Sequence, residues 1–322
     1  MRFVSYVDGQ AGVEIGDNIL NLQKATQTQE CFSGLPSTVI DIIRSTTALE
    51  SIKTAIKSVS ADHELANQLS KMGVLEPKAS VKQATPFEPL TIYAVGMNYT
   101  DHLEEMNTPT PSRPYSFVKA TTSVIGDGEK IRFPQDHETM VDWEAELAIV
   151  IGKDCYQVEE ADAKSCIFGY MCANDVSARD WCGEVFSRTT PLETIEQWAF
   201  NLLGKQYPTF CPMGPVLVTE DEVGDPSKLT IECRVNGQVM QKSHTSKMVF
   251  SPSALVSYLS SYQRLRPGDV ILSGTMGGVG FGRKPQIFLK PGDVVEVEIE
   301  KIGTLRNIAT SADDSNFKPN RS

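Results

Sequence analysis

The sequence lacks any hydrophobic run of the ~18–20 residues that a membrane-spanning helix needs, so we expect no membrane segment. It also lacks a block of Lys and Arg: 30 basic residues stand against 41 acidic ones, and the formal net charge is −11. This balance argues against a nucleic-acid backbone or an anionic membrane surface as a partner. The 322 residues, 40% of them hydrophobic, are enough for about two globular domains.

Cysteine pairs of the Cys-x-x-Cys type are also missing, although the chain has 7 cysteines. An odd number of scattered cysteines argues against a disulfide framework and against a thiolate metal site. The N-terminal segment has no apolar core of a secretory signal. It carries Asp8, Glu14 and Asp17, which a mitochondrial presequence would avoid. We therefore expect reduced thiols and a cytoplasmic location.

The pattern of apolar residues divides the chain into a small and a large part. Short strands are predicted within residues 1–22 and helices within residues 38–72, while strands dominate from Leu90 onward. We predict an α+β, mostly β protein with a small N-terminal α/β domain (1–75), a linker (76–90), a larger domain (91–308) and a flexible tail (309–322). A Pro-Gly-Asp turn precedes two of the strands, at residues 267–269 and 291–293, which favours a rolled or barrel-like sheet.

Several carboxylates occur where surface carboxylates are not expected. In a strand, Asp142, Glu144 and Glu146 share one face, and the apolar run 147–151 that follows is typical of a strand buried on both sides. Glu144 and Glu146 are then like charges about 7 Å apart, which is costly unless they are paired or bound to a cation. An edge strand with its acidic face in water is the alternative. With Asp175, which follows another apolar stretch, they form an oxygen-only set suited to magnesium, manganese or calcium.

His102 and Glu105 are three residues apart, so a helical turn would place them on one face. A Glu that orients an imidazole makes a general base. Taken alone, however, this pair is more often a solvated helix start, here with Asp101 as the cap.

A strand at 269–274 leads into a glycine-rich loop that ends at Gly282. Its Gly-Gly-x-Gly-x-Gly order, with no helical run after it, is not a dinucleotide fingerprint. The loop either offers backbone N–H groups to an anion or is a plain turn. Lys205 and Arg179 are possible anion anchors, but single basic residues have little specificity.

Seven segments in this order resemble the fumarylacetoacetate hydrolase superfamily, over about residues 90–307, and the likeness is greatest to its domain-containing-protein-2 branch. The segments are GMNYTDHLEE (96–105), FVKATTSVIG (117–126), VDWEAELAIVIGK (141–153), GYMCANDVSARDW (169–181), GKQYPTFCPMGPVLVT (204–219), VNGQVMQ (235–241) and GDVILSGTMGGVG (268–280).

The resemblance implies a catalytic domain with a mixed β-roll, a homodimer and a divalent ion, Mg²⁺ first, with Mn²⁺ or Ca²⁺ as alternatives. It implies a small-molecule dicarbonyl or keto-acid substrate. By position it assigns metal ligands, a catalytic dyad with a lysine, and substrate contacts: Glu144, Glu146 and Asp175 for the metal; His102, Glu105 and Lys205 for catalysis; Arg179, Thr275, Tyr99 and Gly274 for the substrate.

The first functional hypothesis is hydrolysis of a carbon–carbon bond in a β-diketone or acylpyruvate-type keto acid. The second is an oxaloacetate tautomerase or decarboxylase that uses the same site. A non-catalytic scaffold, the third, predicts loss of the metal ligands or the dyad, and all five positions are filled. Three departures from the family pattern bear on the substrate: Cys182 in place of a glutamine, a longer segment 183–199, and Met276-Gly277 after Thr275.

Overall fold

A computed structural model describes residues 1–182 and 190–313. The strands are β1 (Arg2–Tyr6), β2 (Ala11–Ile15), β3 (Asn18–Asn21), β4 (Leu75–Pro77), β5 (Gln83–Ala84), β6 (Ile92–Gly96), β7 (Tyr115–Lys119), β8 (Val124–Ile125), β9 (Lys130–Arg132), β10 (Val141–Asp142), β11 (Ala145–Ile151), β12 (Ile167–Asn174), β13 (Ser177–Ala178), β14 (Cys211–Thr219), β15 (Thr230–Val235), β16 (Gln238–His244), β17 (Val270–Thr275), β18 (Val294–Ile299) and β19 (Gly303–Thr310).

The helices are α1 (Leu22–Thr26), α2 (Val39–Arg44), α3 (Ala48–Ala61), α4 (His63–Lys71), α5 (Thr100–Glu105), α6 (Glu160–Ala163), α7 (Pro191–Leu203), α8 (Glu220–Val223) and α9 (Pro252–Ser260). Among the described residues, no helix combines the length and the apolarity that crossing a membrane requires.

The largest sheet has 12 strands, most of them in the order β4-β3-β2-β1-β14-β12-β11-β17-β6-β7, with β5 beside β1 and β8 beside β14. It is mixed, because β17 runs parallel to β6 while β11 is antiparallel to both of its neighbours. A second sheet has 5 strands in the order β16-β15-β18-β19-β9, and β10 pairs with β13. The predicted α+β, mostly β fold is confirmed.

The N-terminal strands extend the large sheet, since β1 pairs with β14 and places Arg2 opposite Val218. Strand β11 lies inside this sheet and has a hydrophobic core on each face. Leu147, Ile149 and Ile151 pack in one core, and Ala148 and Val150 pack in the other. This double burial explains the uninterrupted apolar run of residues 147–151.

The helical region 38–72 consists of three helices. Helix α2 ends at Arg44, and α4 begins after Asp62, whose carboxylate accepts the N–H groups of Glu64 and Leu65. Helix α7 was not predicted. It begins with a capping box between Thr190 and Glu193.

The structure describes two of the predicted segments, the tail 309–322 and the insertion 183–199, only in part. Strand β19 runs to Thr310 and so includes the first residues of the predicted tail. The rest of that tail from residue 314 onward lies outside the described residues, as do residues 183–189 of the predicted insertion. The boundaries 1–75, 76–90 and 91–308 remain predictions.

Candidate metal centre and catalytic dyad

The acidic strand is interrupted between β10 and β11, at Trp143 and Glu144. There the Glu144 N–H donates to the side chain of Asn174 (2.9 Å), and the Asp175 N–H donates to the Glu144 carbonyl (2.9 Å). These bonds satisfy the backbone at the break and hold Glu144 beside the end of β12. The edge-strand alternative is wrong, because β11 pairs with β12 on one side and β17 on the other.

The three predicted metal ligands lie together. Glu144, Glu146 and Asp175 are all buried, and each offers an oxygen within 4.8 Å of the others. Glu146 also accepts the backbone N–H of Gly274 at 2.8 Å. Burial, together with the negative charges of Asp175 and Glu144, raises the pKa of Glu146 well above its usual value. Glu146 is therefore the carboxylate of the set whose charge is least compensated by the protein.

Lys205 lies between two of these carboxylates. Its Nζ is 2.7 Å from Glu144 Oε2 and 2.8 Å from Asp175 Oδ2, and it also donates to the hydroxyl of Ser177 at 2.8 Å. Arg179 donates to Glu144 Oε1 and, at 3.1 Å, to Asp142 Oδ2. Burial raises the pKa of Glu144, but Lys205 and Arg179 outweigh it and lower this pKa to about 2.

Lys119 is a third buried cation, and sequence reasoning missed it. Its Nζ lies 2.8 Å from Asp175 Oδ1 and donates to the backbone carbonyl of Lys205. Lys119 is 0% exposed. The available signal was a lysine inside one of the family-like segments, FVKATTSVIG, but nothing local indicates which acid it reaches.

The formal charges of the cluster do not cancel. Three buried cations, Lys119, Arg179 and Lys205, face four buried carboxylates, those of Asp142, Glu144, Glu146 and Asp175, so the sum is 3 − 4 = −1. Three carboxylate oxygens around one point, with uncompensated negative charge, suit a hard divalent cation. The residues present therefore fit the ion that the family resemblance implies.

The dyad lies next to this cluster. His102 and Glu105 are on α5, with His102 Nδ1 3.2 Å from Glu105 Oε2. His102 is buried and close enough to Glu144 to contribute to lowering the pKa of that carboxyl. Asp101 does not cap the helix, since α5 has Tyr99 as its N-cap without a side-chain bond. The solvated-helix alternative is therefore wrong.

The glycine-rich loop binds anions that belong to the protein itself. Its N–H groups donate to three side-chain carboxylates: Gly277 to Asp101 (3.3 Å), Gly278 to Glu105 (2.9 Å), and Gly280 and Phe281 to Asp142 (2.7 and 3.1 Å). A side chain at Gly282 would overlap the carboxyl group of Glu105. The loop is thus a support for the dyad and for the counter-ion of Arg179, and its glycines allow the close approach.

Three of the four predicted substrate contacts, Arg179, Thr275 and Gly274, make hydrogen bonds within the protein. Thr275 donates to the Ala145 carbonyl at 3.0 Å and accepts from Gln241 Nε2 at 2.9 Å. Tyr99 is fully buried, and Gly274 is engaged with Glu146 as described above. Gln241 was missed, although it closes the family-like segment 235–241. Its Oε1 accepts the Ala145 N–H at 3.0 Å, so it also supports the interrupted strand.

Cys182, the residue that departs from the family pattern, is buried beside Arg179. Its Sγ is 3.1 Å from Asn201 Oδ1, which connects it to α7. Part of the longer segment 183–199 therefore forms a helix that packs next to the site.

Comparison with known proteins identifies relatives along most of the chain. The family model described as fumarylacetoacetate (FAA) hydrolase C-terminal matches residues 91–309. The mitochondrial oxaloacetate tautomerase fahd2 of Xenopus laevis is 48% identical over 68% of this chain, which spans 65% of that protein. The mitochondrial oxaloacetate tautomerase FAHD2A of Homo sapiens is 39% identical over 95% of this chain and 91% of its own length.

Solved structures agree with this result. The fumarylacetoacetate hydrolase of Exiguobacterium antarcticum has a TM-score of 0.73 at 30% identity, covering 97% of this chain and 99% of its own. The maleylpyruvate hydrolase of Sphingobium sp. SYK-6, in complex with manganese(II) and pyruvate, has a TM-score of 0.72 at 28% identity, with the same coverage. The resemblance inferred from the sequence is confirmed, and the chain belongs to the fumarylacetoacetate hydrolase family.

Proposed function

We propose that this protein is a divalent-metal-dependent enzyme that interconverts the keto and enol forms of oxaloacetate. The observation that carries the proposal is the buried set of Glu144, Glu146 and Asp175 next to the His102–Glu105 pair. The curated relatives named as oxaloacetate tautomerases support this reaction. They move tautomerisation ahead of carbon–carbon hydrolysis, which is the first hypothesis from the sequence alone.

Tautomerisation needs a group that removes a proton from carbon and returns it to oxygen, and a site that tolerates the negative charge that develops between these steps. A divalent cation held by Glu144, Glu146 and Asp175 would supply Lewis-acid stabilisation of that charge. With Nδ1 directed at Glu105, His102 retains Nε2 for proton exchange with the substrate. The Glu105 carboxylate stabilises the imidazolium that forms when His102 holds the proton.

The charge of the cluster fits an anionic keto acid. Counted by formal charge, the seven buried charged groups of the cluster sum to −1, and a divalent ion changes that sum to +1, which favours binding of a carboxylate. Lys205, one of the three cations in this sum, has its ammonium fixed by Glu144 and Asp175 close to the ligand set. We assign it the role of stabilising the enolate, and we retain Arg179, Thr275, Tyr99 and Gly274 as proposed substrate contacts.

Hydrolysis of a carbon–carbon bond is the second candidate. The structural relative solved with manganese and pyruvate is a maleylpyruvate hydrolase, which favours this chemistry on the same architecture. Here His102 would take a proton from water instead of from the substrate carbon. Decarboxylation of oxaloacetate is the remaining alternative for the same residues.

We propose Mg²⁺ as the physiological ion, with Mn²⁺ or Ca²⁺ as alternatives, because all three prefer oxygen ligands. We also propose a homodimer, for which large apolar side chains exposed on α7 and β7 offer a surface: Leu192, Ile195, Trp198, Leu203, Tyr115 and Val118. A cytoplasmic location remains a prediction, and the relatives named above are mitochondrial.

The test compares enol-oxaloacetate decay, acylpyruvate cleavage and release of carbon dioxide in the presence of Mg²⁺. We expect rapid enol decay that chelation abolishes. His102→Ala should lose at least about a hundredfold in kcat while it still binds Mn²⁺. His63→Ala, at an exposed position on α4, is the matched control and should retain full activity.

The outcomes separate the candidates. Cleavage of acylpyruvate without enol decay would replace the tautomerase by the hydrolase, and release of carbon dioxide would favour the decarboxylase. If no substrate is consumed, or if His102→Ala turns over at the wild-type rate, the proposed mechanism is refuted.

A further inference from the structure

The helix that carries the dyad is short, and its position depends on contacts outside itself. Helix α5 has 6 residues and no side-chain N-cap, and a helix of this length is not stable in isolation. Its backbone bonds include those from Leu103 N–H to the Tyr99 carbonyl and from Met106 N–H to the His102 carbonyl, both 3.0 Å. The placement of His102 must therefore come from tertiary contacts.

Those contacts reach α5 from two separate elements. The glycine-rich loop donates to Asp101 Oδ1 through Gly277 and to Glu105 Oε1 through Gly278. The hydroxyl of Ser243, on β16, donates to the other oxygen of Asp101. Both carboxylate oxygens of Asp101 thus bond to elements outside the helix. Because Asp101 directly precedes His102, these bonds fix the turn of the helix that carries His102.

Strand β16 also supports the metal side of the site. Gln241, two residues before Ser243 and on the same face of the strand, bonds to the Ala145 N–H and to Thr275. One edge strand of the five-stranded sheet thus contacts the segment that carries the ligands and the helix that carries the base.

From this geometry we infer that Asp101 and Ser243 are positioning residues, which hold α5 where His102 faces the acidic cluster. Neither residue is assigned a contact with substrate. Their effect on turnover rests on the proposed function, but their effect on the helix does not.

The experiment measures kcat and KM for enol-oxaloacetate, Mn²⁺ affinity and amide hydrogen exchange of residues 99–107 in Ser243→Ala. Loss of a hydrogen bond to a charged group corresponds to about a tenfold effect. We expect about tenfold lower kcat with unchanged KM and Mn²⁺ affinity, and about tenfold faster exchange at Leu103 and Met106. Peptides from β11 should exchange at the wild-type rate. Asp101→Asn, which removes the charge but keeps the size, should change the same quantities in the same direction.

Ser243→Thr retains the hydroxyl and should restore both kcat and exchange. Ser246→Ala is the control, since Ser246 is exposed and its hydroxyl bonds to the side chain of His244, two residues away. Unchanged exchange at α5 in Ser243→Ala would overturn the inference, and so would faster exchange throughout the protein, which indicates general destabilisation. If the wild type does not consume oxaloacetate, the proposed function fails, and the exchange measurement still decides the positioning role.

Discussion

Replacement of Lys119 by methionine tests whether the buried cluster carries the formal charge of −1 counted above. Met has a similar length and no charge, so the substitution changes the sum of the cluster from −1 to −2. Asp175 keeps its contact with Lys205 at 2.8 Å but loses the one with Lys119, also at 2.8 Å. We expect a loss of about 3 kcal/mol in the free energy of unfolding without metal, the lower end for breaking a buried pair.

Lys164→Met is the matched control. Lys164 forms an ion pair of similar length with Glu220, 2.7 Å, but its side chain is 55% exposed. An exposed pair contributes about 0–1 kcal/mol, so this variant should be close to the wild type. Both substitutions remove a lysine from an ion pair. The difference between their free energies of unfolding therefore reports the effect of burial. In thermal unfolding at ~2 °C per kcal/mol, Lys119→Met should melt about 6 °C below the wild type in EDTA.

Divalent ions should reverse part of this effect. The ammonium of Lys119 repels a cation bound at Asp175, so its removal should tighten Mn²⁺ binding by at least about tenfold, which is ~1.4 kcal/mol. At a fixed, saturating Mn²⁺ concentration the increase in melting temperature should then exceed that of the wild type by about 3 °C. The reasoning is refuted if Lys119→Met and Lys164→Met melt together in EDTA. It is also refuted if Mn²⁺ stabilises Lys119→Met no more than the wild type.

Other perturbations give distinct results. Glu146→Gln should retain or raise the melting temperature in EDTA, because the burial that raises the pKa of Glu146 also makes its negative charge costly. The same variant should lose most of the increase in melting temperature that Mn²⁺ causes in the wild type. Gly282→Ala should lower kcat about a hundredfold at unchanged Mn²⁺ affinity, since the new methyl group displaces Glu105; Gly96→Ala, where a Cβ meets nothing within 4 Å, is its control. Trp198→Glu should shift the protein from dimer to monomer in sedimentation velocity, and an unchanged dimer would exclude the α7 surface.

The local pattern of the sequence was sufficient for the strands that enclose the site. Strand β11 was predicted because its residues are apolar on both faces, and the carboxylates before it stood out against that background. The position of Asp175 followed from the apolar stretch that precedes it. Such features depend on residues that are close together in the sequence, so they can be predicted from the local pattern.

Long-range pairings could not be predicted in the same way. Lys119 ends β7 and Asp175 follows β12, and the strands β6, β17 and β11 lie between these two in the sheet, so no residue near Lys119 encodes the contact. The partners of the glycine-rich loop were missed for the same reason. Helix α7 is a different case: its Thr190, Pro191 and Glu193 are a start signal present in the sequence, but the exposed Leu192 and Ile195 do not give a core-facing pattern.

The glycine-rich loop has a consequence for how the substrate range of this architecture changes. It bonds to Glu105 of the dyad and to Asp142, which pairs with Arg179 beside the metal ligands. A shift of this loop would move the base and the support of the metal site together and disturb both. New specificities should therefore arise in segments near the site that do not bond to this loop. The helix Pro191–Leu203, which contacts Cys182 through Asn201, is one such segment.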